Sequence, residues 1–265
     1  MFNLKKLLLN AGKRWYHQDM SIYAAAFSYY APLAIIPLLV FTIYFVGIFY
    51  SEEIVRTTLT GWGESLGQGL VDLLKSAITR QEAEVATFKI PLIGFVVSLI
   101  ACIASLNVLA GGFHRLWQVK ESGVRNWLLK SLRSFFFILV FQFYLTSVIT
   151  FSFFLNLTNL NSVRLIYLAF LLFCSVIFFT LMFRLLTSHA PSWSGSLVAG
   201  IITAVLFTFV KWAMNFYLAT IPSLSFFGAA GLILILLIWS FILAVLIFLG
   251  AAIALEYDKL KTLTK

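Results

Sequence analysis

The sequence predicts an all-α, polytopic membrane protein, and three observations carry that expectation. First, the 265 residues are 62% hydrophobic and only 11% charged, with a mean hydropathy of +0.99; soluble domains carry about 25% charged residues. Second, long apolar runs follow one another with short joints, which favours a single membrane domain over 1–265. Third, the cations behind the net charge of +9 gather at the ends of those runs, where the positive-inside rule and anionic headgroups account for them without nucleic acid. The plan is six transmembrane helices, at about 21–50, 90–109, 134–157, 162–186, 196–221 and 228–255. A basic interfacial helix precedes them, and an amphipathic helical outer loop lies at 51–89.

Residues 2–16, FNLKKLLLNAGKRWY, place Leu4, Leu7, Leu8, Ala11 and Trp15 at helical spacing beside Lys5, Lys6, Lys13 and Arg14. That is the pattern of a basic helix lying on a lipid surface. Asp19 stands where the first span wants an N-cap.

The first span, SIYAAAFSYYAPLAIIPLLVFTIYFVGIFY, has no charge and contains Pro32 and Pro37. Thirty helical residues extend ~45 Å, more than the ~30 Å hydrocarbon core. Each proline lacks an N–H and clashes with the carbonyl four residues back, which frees the carbonyls of Ser28 and Leu33 near mid-bilayer. Lipid offers those oxygens no partner, so this helix break is expected to face protein or a wet cavity. The run is too long for a signal-peptide core, and its small residues open it instead of closing it, so the segment is expected to be retained.

The outer loop places Leu66, Leu70, Leu73, Leu74, Ala77 and Ile78 on one helical face. It also holds Glu52, Glu53, Glu64, Asp72, Glu82 and Glu84, more than half of the 10 acidic residues. The second span opens with Pro91. A basic joint follows, with Arg115, Lys120, Arg125, Lys130 and Arg133 and the interface residues Trp117 and Trp127. Spans three and four form a hairpin around Thr158–Asn161, and Pro191 and Pro222 lie outside spans as helix stops. Six crossings put both termini on one side. Most of the 19 Lys and Arg fall on that side, which predicts cytoplasmic termini.

Candidate chemistry is sparse. His17, His114 and His189 occupy separate joints, without HxH, HExxH or a paired carboxylate, and no Walker A loop or GxSxG elbow occurs. No enzyme activity, metal or other cofactor is expected. Cys102 and Cys174 fall inside apolar runs as small hydrophobes. Lys211 is the one ionisable residue well inside a span, which by default marks a functional site. Thr208 and Asn215 share its helix face. One reading gives Lys211 a cavity with the Ser28 and Leu33 carbonyls and Tyr29 or Tyr30, suited to an anionic group such as a lipid phosphate. The other lets its stem carry the ammonium to the headgroups. Asn107, Gln142, Thr146 and Asn156 are expected to make interhelical hydrogen bonds, and Glu256 is expected to face water.

The segments DMSIYAAAFSYYAPLAIIPLL, LNVLAGGFHRLWQVKE, VKWAMNFYL and FFGAAGLILILLIWSFILAVLIFLGAA resemble, in order, signature stretches of the YihY/BrkB family of bacterial inner-membrane proteins. The resemblance runs from about Asp19 to Ala254. It departs at Gly250, Ala251 and Ala252, where the family commonly has Gly-Ala-Glu. It implies a six-helix inner-membrane protein linked to envelope function and serum resistance, and a transporter whose substrate is unsettled. Family members have also been labelled ribonuclease BN, which the scattered histidines here do not support. The expected function is therefore transport or flipping of an amphipathic or anionic envelope molecule, with membrane lipids as partners. The alternative is a noncatalytic envelope scaffold binding lipids or partner proteins.

Overall fold

A computed structural model describes residues 4–33, 89–118, 124–156, 163–187, 191–220 and 228–263. Outside them lie Pro37, the amphipathic part of the outer loop, the joint Thr158–Asn161, His189 and Pro222. The described residues form seven helices: α1 (Leu4–His17), α2 (20–33), α3 (Lys89–Trp117), α4 (Val124–Asn156), α5 (Val163–Leu185), α6 (Trp193–Thr220) and α7 (Gly228–Leu263). Among them three stretches are long and apolar enough to cross a membrane, Leu168–Leu185, Trp193–Met214 and Ile233–Thr262, and Leu132–Val148 is a shorter apolar one.

The packing centre is α7, which touches α1, α3, α5 and α6. Its run Ala251–Ala254 is fully buried, because small side chains on every face let neighbouring backbones close in. Between them the larger rings fill the space: Phe113 of α3 meets Phe248 of α7 at 5.8 Å and Phe183 of α5 at 6.2 Å, both edge-on, the geometry that aromatic quadrupoles favour. A Cβ on Gly112 would lie 2.6 Å from Cζ of Phe248. Glycine at this position is what lets that ring reach α3.

The helices α4 and α5 run antiparallel. Their register is fixed by Phe151 on Phe170 (3.9 Å), Tyr144 on Phe178 (4.8 Å) and the Tyr144–Ser175 hydroxyl pair at 3.1 Å. The helices α5 and α6 approach closely. A Cβ on Gly200 would sit 3.1 Å from both the Thr180 amide nitrogen and the Val176 carbonyl, so backbone meets backbone there.

Two local expectations change. The apolar stripe of α1 does not face lipid alone: Leu7 and Ala11 are fully buried in the core beside α7, while Lys5, Leu9, Lys13 and Tyr16 remain outside. An apolar face at this spacing fits a helix groove as well as it fits acyl chains. Asp19 is not an N-cap either, since its φ is 54° and an N-cap takes extended backbone. It is the left-handed joint that ends α1, its N–H bonding Tyr16 O at 3.2 Å, and starts α2, its carbonyl accepting Ile22 N–H at 3.0 Å. Aspartate tolerates that conformation better than most residues. The joint turns α2 so that Met20, Ala24, Phe27 and Ala31 enter the core, and Tyr23 meets Phe248 at 6.3 Å.

Candidate functional site

The residues expected to line a cavity lie on two helices. On α2, Pro32 is buried, and Ser28 donates its hydroxyl to Ala25 O at 2.7 Å. Tyr29 is 64% exposed, Tyr30 and Leu33 are also on the outside, and the two tyrosine rings meet edge-on at 5.4 Å. On α6, Thr208 bonds back to Ala204 O at 2.8 Å, and Lys211 is exposed; the Asn215 side chain lies outside the described set. Beside Lys211 runs an exposed aromatic row, with Phe209 6.1 Å from Trp212 and Trp212 stacked on Phe216 at 6.3 Å and 18°. Thus Ser28, Tyr29 and Tyr30 gather on α2 and Lys211 stands among rings on α6, and the contacts just described lie within each helix.

The densest polar geometry lies elsewhere, at the end of the bundle where α1, α3, α5 and α7 finish and α6 begins. Arg14 on α1 donates from Nε to Glu256 Oε1 on α7 at 2.6 Å and from a terminal nitrogen to Leu116 O on α3 at 3.5 Å. One guanidinium therefore ties three helices. Glu256, expected to face water, is only 8% exposed, with Lys259 3.9 Å away. The reason is distance along the chain: its partner is 242 residues earlier, and no local pattern announces it.

A second lock sits beside the first. Ser192 caps α6, its hydroxyl accepting Gly195 N–H at 3.0 Å, the N3 amide that an N-cap serves. Asp258 of α7 holds the cap, accepting Ser192 N–H at 2.7 Å and the Ser192 hydroxyl. Its negative charge also suits a helix N-terminus. Lys261 donates to Ser194 at 3.2 Å. Arg184 ends α5 by donating to Pro191 O at 2.8 Å, and its guanidinium lies 4.0 Å over the exposed Trp193 ring, a cation–π contact. Arg133 of α4 reaches Thr187 O at 3.5 Å. These bonds join every described helix except α2 into one cross-braced end. The sequence signals were present as scattered charges near helix ends, but only the folded register pairs them.

The profile of the family described as Virulence factor BrkB matches residues 11–264, a range that includes Arg14, Ser192, Lys211, Glu256 and Asp258. A stretch of 76 residues, 28% of this chain, is 33% identical to the UPF0761 membrane protein Smlt0865 of Stenotrophomonas maltophilia strain K279a. The UPF0761 membrane protein of strain R551-3 matches to the same extent. The match spans 18% of the length of each of these relatives. No solved structure matches. With the family profile covering nearly the whole helical bundle, the chain belongs to the Virulence factor BrkB family of membrane proteins.

Proposed function

We propose that the protein is a transporter or flippase of the bacterial inner membrane for an amphipathic or anionic envelope molecule. It crosses six times, keeps both termini in the cytoplasm and performs no covalent chemistry. The observation that carries this reading is the end closed by Arg14–Glu256 and Ser192–Asp258. An end held shut by a few polar bonds between separate helices can open by breaking them, in the way that bundles rock against one another in alternating access. The basic character of that end agrees with a cytoplasmic placement. Lys211, exposed on an apolar helix, gives an anionic amphiphile something to meet.

The test is movement. Purified protein in vesicles doped with a fluorescent anionic phospholipid analogue should expose inner-leaflet label to a membrane-impermeant quencher faster than protein-free vesicles do, and Lys211→Met should slow that exposure. Wild-type vesicles that quench no faster than empty ones refute transport of this class of molecule. A noncatalytic scaffold is the second reading, favoured by the solid filling of the described interior by Phe113, Phe183 and Phe248. It predicts lipid or partner binding without movement.

A further inference from the structure

The exposed face of α6 has a cation at each end of an apolar stretch. Trp193 and Lys211 are five helical turns apart and so share one face, separated by ~27 Å at 1.5 Å per residue. That is close to the ~30 Å of hydrocarbon in a bilayer. Between them Leu197, Ile201 and Val205 are all exposed. At one end the Arg184 guanidinium covers the Trp193 ring. At the other, Trp212 stands beside Lys211 with its ring exposed and stacked on Phe216. Tryptophan rings favour headgroup depth, and a crossing over Trp193–Met214 would bring each cation toward the phosphates of one leaflet.

We propose that this face of α6 is a track for an anionic phospholipid, with one headgroup station at Arg184 and Trp193 and a second at Lys211 and Trp212. Charge complementarity selects the occupant: the phosphate and any further negative charge pair with the cation, and the acyl chains lie along Leu197, Ile201 and Val205. Arginine suits its station because its planar fork can hold the ring and a phosphate together, with the bond to Pro191 O using only one of five donors. The proposal deepens the transport reading, since it names the substrate class and places its path on the flank of the bundle, not through its centre.

The test uses the full chain in nanodiscs of phosphatidylcholine and phosphatidylglycerol, released gently and weighed by native mass spectrometry. Wild-type protein should retain phosphatidylglycerol in excess of its share. Lys211→Gln should lower that excess about fivefold, the worth of one cation near a lipid surface, and Lys211→Arg should keep it. Lys5→Gln, a cation on the exposed side of α1, should leave it unchanged. The proposal is overturned if Lys211→Gln retains the wild-type ratio, or if Lys5→Gln lowers the excess equally, which would mean that net charge alone attracts the lipid. Retention that depends on Lys211 in a protein that moves no lipid would leave the track standing and remove the transport reading. Lipid movement without such retention would do the reverse.

Discussion

Replacing Glu256 by alanine isolates what the Arg14 bridge contributes. The two side chains are 19% and 10% exposed and meet at 2.6 Å, so solvent screens the pair little. Removing one partner of such a buried pair costs about 3–5 kcal/mol, because the remaining charge is stranded. Here the Leu116 carbonyl still accepts from Arg14 at 3.5 Å and the Arg14 side chain keeps some exposure to water, which offsets part of the loss, so the lower figure of ~3 kcal/mol is appropriate. The cost falls on the docking of α1, since Glu256 sits on the central helix and Arg14 on the helix at the edge. At 1.4 kcal/mol per tenfold, α1 should open about a hundredfold more often. Hydrogen exchange in nanodiscs reads this directly: amides of α1 should lose protection by that factor, while those in the buried middle of α7 keep theirs. Arg14→Gln combined with Glu256→Gln should be milder than Glu256→Ala alone, because no charge is left stranded. Equal α1 protection in wild type and Glu256→Ala would refute the bridge as the holder of α1 and give that role to packing such as that of Leu7 and Ala11.

Two further outcomes follow from the packing and the second lock. Gly200→Val should loosen α5 from α6, since the added atoms meet the Thr180 amide and the Val176 carbonyl; overpacking of this kind costs about 1–3 kcal/mol, seen as a lower midpoint of thermal unfolding in detergent. Asp258→Ala should cost the ~1 kcal/mol of a disturbed cap and lower that midpoint accordingly, and Asp258→Asn, which keeps an acceptor for Ser192, should lower it less; identical midpoints for all three proteins would show that Ser192 caps α6 unaided.

The helices were legible because membrane spans announce themselves by composition, and the stretches expected near 162–186, 196–221 and 228–255 fall on α5, α6 and α7. Direction of packing was not legible. Leu7 and Ala11 have the spacing of a lipid-facing stripe, and nothing local distinguishes acyl chains from a neighbouring helix. Asp19 belongs equally to N-caps and left-handed joints, and only the backbone angle decides. Glu256 found its partner at the far end of the chain. Lys211 stood out at once as a charge in an apolar run, yet its relation to Trp193 depends on one continuous helix starting at Trp193. Composition alone starts that span at Ser196, whereas the cap at Ser192 starts the helix at Trp193.

In a bilayer, apolar burial does little to hold helices together, because lipid is as apolar as leucine. Close packing and polar bonds must do it instead, and both are concentrated toward the basic end of this bundle. Rings from α3, α5 and α7 meet there edge to edge, and Arg14 and Asp258 brace the helices around them. A headgroup moving through that centre would have to part the rings and desolvate at the same time, and burying an unpaired charge is far more costly than separating one ring pair. Along the proposed path on α6 no ring pair has to part and the acyl chains would stay in lipid, so the remaining cost is the passage of the headgroup over Leu197, Ile201 and Val205 between the two cations. The same packing that argues against a central pore therefore favours a route along the flank. On that route, breaking the bridge from Arg14 to Glu256 would let the closed end open and the helices rock around α6 while the lipid passes along its flank.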